Sequence, residues 1–251
     1  MLYVYGIVRG HALETMRDLV GIGTPPTVVK AIRANEYDVI VSEFAHLNTL
    51  SADDAITHSN VLGDLFEKTT VIPVKFGTIV SGADDLVAMI DAGRGQLEDE
   101  FRRLKGRLEV GIKIYWEQKA LQDQVLKRID LDQAKKDSAN TAEGLYSLEI
   151  QVGQIAEQII GHWRDTFSQA VADLLEPLAD DVVIGKLISI YMLYNVSFLI
   201  LRNRQGAFQK QVYKLEENFG TEFRIHYVDN LPPFNFVNLK LGSPVDGKHA
   251  S

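Results

Sequence analysis

Residues 107–116 read Arg-Leu-Glu-Val-Gly-Ile-Lys-Ile-Tyr-Trp, and this stretch constrains the fold more than any other. Leu108, Val110, Ile112, Ile114 and Trp116 alternate with Arg107, Glu109, Gly111, Lys113 and Tyr115. A period of two places the apolar set on one face of a strand. β-Branched and aromatic residues favour that pleated surface. Gly106 in front supplies a break, and the pattern turns helical after Trp116. The strand is therefore expected to open a second domain, with Gly106 at the boundary.

A chain of 251 residues suits two modest domains better than one. Before Gly106 the sequence predicts strands over 2–8, 28–33 and 37–43, the last two forming a hairpin across Ala34-Asn35-Glu36. Residues 11–20 have room for one or two helical turns, and 21–26 read as a loop. Ser51 or Asp53 can cap a helix reaching Lys68. Residues 71–77 read as a strand with Pro73 inside it, which points to an edge or a bulge, because proline donates no ladder hydrogen bond. Helices over 84–90 and 96–104 follow, broken by Gly93-Arg-Gly95.

Beyond the anchor strand, residues 117–129 are helical, and 135–141 form a polar break. Apolar residues from Leu145 to Leu174 then recur at steps of three and four, so 143–176 reads as one long helix stopped by Pro177. Strands are expected over about 182–190 and 194–202 with a turn or bulge at Asn195, then a helix over 207–219 and a strand over 222–228. Residues 231–239 return as an extended tail, and 242–251 look disordered. The expected fold is α+β in two domains. Residues 1–105 form an α+β domain, and 106–241 form a ferredoxin-like βαββαβ domain with a long helix.

Chemistry is harder to find. The net charge is −8; residues 1–105 hold 10 Lys/Arg against 15 Asp/Glu, and 106–251 hold 16 against 19. Neither half has the basic surplus of a nucleic-acid binder. With no cysteine, thiol catalysis, disulfides and Cys-ligated metals are excluded. No run of about 18 apolar residues is present, so no membrane-spanning helix is expected. The start lacks the basic and apolar regions of a signal peptide. The six histidines show no metal-ligand spacing and read as surface or core residues. The pairs Asp53-Asp54, Asp84-Asp85 and Asp180-Asp181 read as helix-terminus or loop residues rather than catalytic pairs. Arg102, Arg103, Lys105 and Arg107 sit beside Glu98, Asp99 and Glu100, which reads as a salt-bridged helix end. The apolar stripe of the long helix is read as core, with a partner surface near Trp163 and Phe167 as the alternative. No catalytic constellation, metal site or cofactor motif emerges.

Several segments together resemble the gas vesicle protein GvpF/GvpL family. They are Tyr3-Val-Tyr-Gly-Ile7, Ile72-Pro-Val-Lys-Phe-Gly77, Leu104-Lys-Gly-Arg-Leu-Glu109, Gly111-Ile-Lys-Ile-Tyr-Trp116, Phe223-Arg-Ile-His-Tyr227 and Pro233-Phe-Asn-Phe-Val237. Their order and spacing run nearly the whole chain. The resemblance implies a non-enzymatic accessory protein of gas vesicle assembly, cytoplasmic and at the vesicle. Its implied partners are the shell protein GvpA and other accessory Gvp proteins. A small-molecule-binding or enzymatic ferredoxin-like domain is the alternative, resting on the expected fold alone.

Within the motifs, Pro73, Phe76, Gly77, Gly106, Glu109 and Trp116 are expected to be architectural, with Phe76 largely buried. An adaptor for an apolar shell subunit needs apolar surface or an open strand edge. Two segments offer one: Val71, Ile72 and Val74 on the proline-bearing strand, and Phe234, Phe236 and Val237 on the tail. The strand is preferred, because the tail's aromatics are expected to close one end of the C-terminal core.

Overall fold

The computed structural model of the chain describes residues 1–10, 19–45, 49–129 and 142–239. Of the helical turns expected over 11–20, residues 11–18 lie outside the described residues and Val20 is strand; the polar break expected at 135–141 and the disorder expected at 242–251 also lie outside them. Among the described residues the fold is mixed α and β, with two sheets and six α-helices. The chain divides into two compact units, residues 1–109 with the segment from Asn230 onward, and Val110–Asp229.

The first unit contains β1 (Leu2–Arg9), β2 (Val20–Gly21), β3 (Thr27–Ala34), β4 (Tyr37–Glu43), α1 (Ala52–Phe66), β5 (Val71–Pro73), β6 (Ile79–Val80), α2 (Ala83–Ala92) and α3 (Arg94–Leu104). Its sheet runs β2-β3-β4-β1-β5, with β6 also on β1. Residues 2–8 of β1 are buried without alternation, as befits a central strand covered on both faces. The β3–β4 hairpin turns at Asn35 and Glu36, where Asn35 takes φ of 56°. Asparagine tolerates that left-handed conformation better than most residues.

Ser51 and Asp54 close a reciprocal capping box on α1, and the Ser51 N–H donated to Asp54 is the main reason its carboxyl is held below the usual aspartate range. Asp84 and Asp85 lie in the first turn of α2. At the end of α3, Arg102 pairs with Asp99 at 3.0 Å and Arg103 with Glu100 at 2.8 Å, the salt-bridged helix end expected of that basic run.

The second unit contains most of β7 (Arg107–Trp116), α4 (Gln118–Arg128), α5 (Ala142–Leu174), β8 (Asp181–Ile184), β9 (Met192–Leu201), α6 (Gln205–Phe219) and most of β10 (Phe223–Leu231). Its sheet order is β10-β7-β9-β8. Pro177 stops the long helix in a short 3₁₀ turn, Glu176–Leu178. The apolar stripe of α5 is core at Phe167, with Trp163 half-buried beside it. Phe167 is fully buried, its ring 4.2 Å from that of Phe219, and Trp163 lies 4.6 Å from Phe223. Trp116 is buried in the same cluster.

One expectation fails in this unit. The strands around Asn195 do not turn there. β8 ends at Ile184, residues 185–191 form the loop, and β9 runs straight through Asn195. The aliphatic run at 187–190 imitates strand composition. The Asn195 amide instead donates 2.9 Å to the carbonyl of Lys186, holding the loop from inside the strand. The structure also groups the tail, expected with the C-terminal domain, with the first unit.

Candidate functional site

The first unit carries an open cavity of about 630 Å³. Four segments line it: α1 through Ala55 and His58, the chain after β5 through Val74 and Phe76, α2 through Met89, and the tail through Phe234 and Val237. Of the residues singled out in the sequence, Val74, Phe234 and Val237 line this groove, whereas Val71, Ile72 and Phe236 do not.

The strand side is built by Pro73. β5 pairs with β1 at Gly6↔Pro73, Ile7↔Ile72 and Val8↔Val71, and it is the terminal strand of the sheet order. Val71, Ile72 and Pro73 are buried, so Val71 and Ile72 offer a partner no side-chain surface. Burial follows from their position over the core, which an edge strand shares with its neighbour. Val74 still donates its N–H to the Tyr5 carbonyl at 2.9 Å, and only then does the chain leave the sheet. Lys75 accepts from the Thr78 N–H at 3.2 Å and from the Thr78 hydroxyl at 2.7 Å, closing a β-turn. Gly77 occupies the third turn position with φ of +87°, where a side chain is strained.

This turn corrects the expectation for Phe76. Phe76 is 36% exposed rather than buried, because the second position of the turn points its ring outward along the groove. Gly106 likewise has φ of +69°, one residue past the C-cap of α3, a position that favours glycine.

Beneath Phe76 lies a polar relay that the sequence reading passed over. His58 is 3% exposed. Its Nε2 lies 3.1 Å from the Val74 carbonyl, which only accepts, so Nε2 carries the proton. Nδ1 then accepts from the Tyr3 hydroxyl at 2.9 Å, and the Tyr3 oxygen accepts from the Gly77 N–H at 3.2 Å. Desolvation holds the His58 pKa below its usual 6.5, and the same desolvation pushes Tyr3 up to about 12. The relay is therefore neutral at physiological pH. It fixes both ends of the Pro73–Gly77 segment: Val74 through its carbonyl and Gly77 through its amide. A signal was present, since His58 precedes buried Val61 and Leu62 at helical steps of three and four.

The tail side is held by Glu109. This carboxylate is 2% exposed and accepts from the Asn235 N–H at 2.9 Å and the Asn235 side-chain amide at 2.6 Å. Arg103 donates to the Phe236 carbonyl. Phe236 is buried, whereas Phe234 and Val237 are half-buried in the groove wall. The tail therefore does not close the C-terminal core; one aromatic anchors it and its neighbours stay accessible. Trp116 belongs to the second unit and takes no part here. Among the described residues no group of three or more His, Asp or Glu side chains is placed to hold a metal ion, and no helix is long and apolar enough to cross a membrane.

Comparison with known proteins gives a consistent picture. Residues 1–238 match the family model described as gas vesicle synthesis protein GvpL/GvpF. The chain is 29% identical over 243 residues to gas vesicle protein F of Nostoc sp. (strain PCC 7120), covering 95% of this chain and 98% of that one. It is 28% identical to gas vesicle protein F of Dolichospermum flosaquae over the same shares. The crystal structure of GvpF from Anabaena sp. PCC7120 superposes with a TM-score of 0.74 at 28% identity, covering 95% of this chain and 98% of that one. That of GvpF from Microcystis aeruginosa gives 0.71 at 26%, covering 94% and 98%.

Proposed function

Because the chain belongs to the gas vesicle synthesis protein GvpL/GvpF family, we propose that its part in gas vesicle assembly is that of a non-enzymatic adaptor. Its groove holds an apolar segment of the shell subunit GvpA until that subunit joins the wall. The observation that carries this reading is the convergence of Val74, Phe76, Phe234 and Val237 on one open cavity. A small apolar subunit needs such a surface to stay out of solution aggregates. The rigid His58–Tyr3 base and the Glu109 anchor support it, since a preformed groove loses little entropy on binding.

In this reading the protein works in the cytoplasm at the growing vesicle, alongside other accessory Gvp proteins. The second unit is taken as a ferredoxin-like domain. Its main elements run β7, α5, β8, β9, α6, β10, and its first and third strands lie at the centre of the β10-β7-β9-β8 order, which supports that assignment.

The test is complementation. A strain lacking this gene is expected to make few or no vesicles by electron microscopy. The wild-type gene should restore them and a Val74→Asp, Phe234→Asp double variant should not, despite normal protein levels. Normal vesicles in the deletion strain, or full rescue by the double variant, would remove the proposal.

A further inference from the structure

The groove of the first unit is apolar apart from one charge. Of the residues that line it, Lys75 alone is ionised: no Asp or Glu lines it, and His58 is held neutral by burial. Lys75 is exposed and makes no ion pair among the described residues. Other cations of this unit do find carboxylates: Arg9 pairs with Glu98, Lys30 with Glu43, Arg33 with Asp38 and Arg94 with Glu36. Residues 1–105 hold 10 Lys/Arg against 15 Asp/Glu, so carboxylates outnumber cations there and yet none meets this one.

The hydrogen-bonding groups of the groove are set in the same sense. The Ser59 hydroxyl donates to the Ala55 carbonyl at 3.0 Å and the Thr78 hydroxyl to the Lys75 carbonyl at 2.7 Å, so each has spent its only proton inside the chain. The His58 Nε2 proton is spent on the Val74 carbonyl. That leaves the Lys75 ammonium as the free side-chain donor of the lining. Its backbone is fixed, because the Lys75 carbonyl also accepts from the Thr78 N–H at 3.2 Å. The side chain therefore starts from a set point between Val74 and Phe76, two apolar residues of the groove. An occupant that covered Val74 and Phe76 with apolar groups alone would strip water from the ammonium and put nothing in its place. A carboxylate beside those apolar groups removes that cost and adds a charge-assisted hydrogen bond.

We propose that Lys75 is the specificity-determining residue of the groove, and that the shell-subunit segment it accepts carries an Asp or Glu side chain next to its apolar residues. This rests on the reading of the groove as the shell-subunit site. Around it the unit has an acidic surplus, so an acidic segment is repelled elsewhere and admitted here. The pair sets the register in which the apolar side chains enter. A wholly apolar segment gains nothing from Lys75, and a basic one is rejected by it.

The test is titration of the full chain with GvpA, solubilised in a non-ionic detergent, at about 50 and about 500 mM salt. At the lower salt Lys75→Gln should raise Kd about three- to fivefold and Lys75→Glu at least about tenfold, with Lys75→Arg close to wild type. The wild-type Kd should rise with salt, and Lys75→Gln should lessen that slope. The side chain has no ion pair in the free chain to lose, so the melting temperatures should stay close to wild type. Each Asp and Glu of GvpA is then changed to Lys in turn. One such variant should bind the Lys75→Glu chain more tightly than it binds the wild type. Wild-type affinity in Lys75→Glu overturns the proposal, and so does a scan in which no GvpA variant prefers the Lys75→Glu chain. Val74→Asp tells the two failures apart. If it weakens binding while Lys75→Glu does not, the groove holds the shell subunit and Lys75 selects nothing; if neither weakens binding, the groove is not the site.

Discussion

His58 is held neutral by burial, and this has a consequence for stability. Its pKa in the folded chain lies below the ordinary 6.5, so the unfolded chain takes up more protons as pH falls through that value. Stability is therefore full above about pH 7 and declines as pH drops through 6.5 toward the folded pKa. Denaturant titrations between pH 7.5 and about 5 should show this slope, and His58→Gln should flatten it. An unchanged slope in that variant would mean that another group governs the window. The aromatic side chains separate in the same way. Phe236→Ala should cost about 3–5 kcal/mol, because the ring is 1% exposed. Phe76→Ala should cost about 1 kcal/mol or less, because its ring is exposed and only edges onto Tyr3 and His58. Chemical denaturation of both variants checks the ranking. Hydrophobicity alone could not have ordered these two residues. Phe76 sits in an apolar run, but the Gly77 turn rotates it outward, and turn geometry is invisible to a count of apolar residues.

At the scale of elements, β7 shows where periodic reading succeeds and where it stops. Leu108, Val110, Ile112, Ile114 and Trp116 are all buried, as the alternation requires. Glu109 stands on the polar face of that alternation and is buried nonetheless, because the tail from 232 to 239 comes back to it across more than a hundred residues. No local pattern announces such a return. The β8–β9 hairpin fails for the opposite reason: Leu187, Ile188 and Ile190 look like strand core and are loop. The tail is expected to depend on its anchor. Glu109→Ala leaves the Asn235 amides without their acceptor and should cost about 1–3 kcal/mol, with faster hydrogen exchange at Asn235. Glu109→Gln keeps an acceptor oxygen and should cost less. Equal losses in the two variants would show that the carboxylate's charge, not its acceptance, holds the tail.

At the scale of the molecule, the groove lies in the first of two compact units. The family and the mixed α and β architecture were legible from ordered motifs and periodicity. The groove was legible only in pieces, since its walls lie at 55–59, 73–78, 89 and 234–239 and meet only in the folded chain. The central claim is that these walls bind the shell subunit, and a direct titration tests it. Purified chain, wild type and the variants Val74→Asp, Phe234→Asp and Lys210→Ala, is titrated with detergent-solubilised GvpA, and each melting temperature is recorded alongside. Val74→Asp and Phe234→Asp are each expected to raise Kd at least about tenfold while melting within a few degrees of wild type, and Lys210→Ala on the second unit is expected to change neither. Wild-type affinity in both groove variants, with the fold intact, would contradict it.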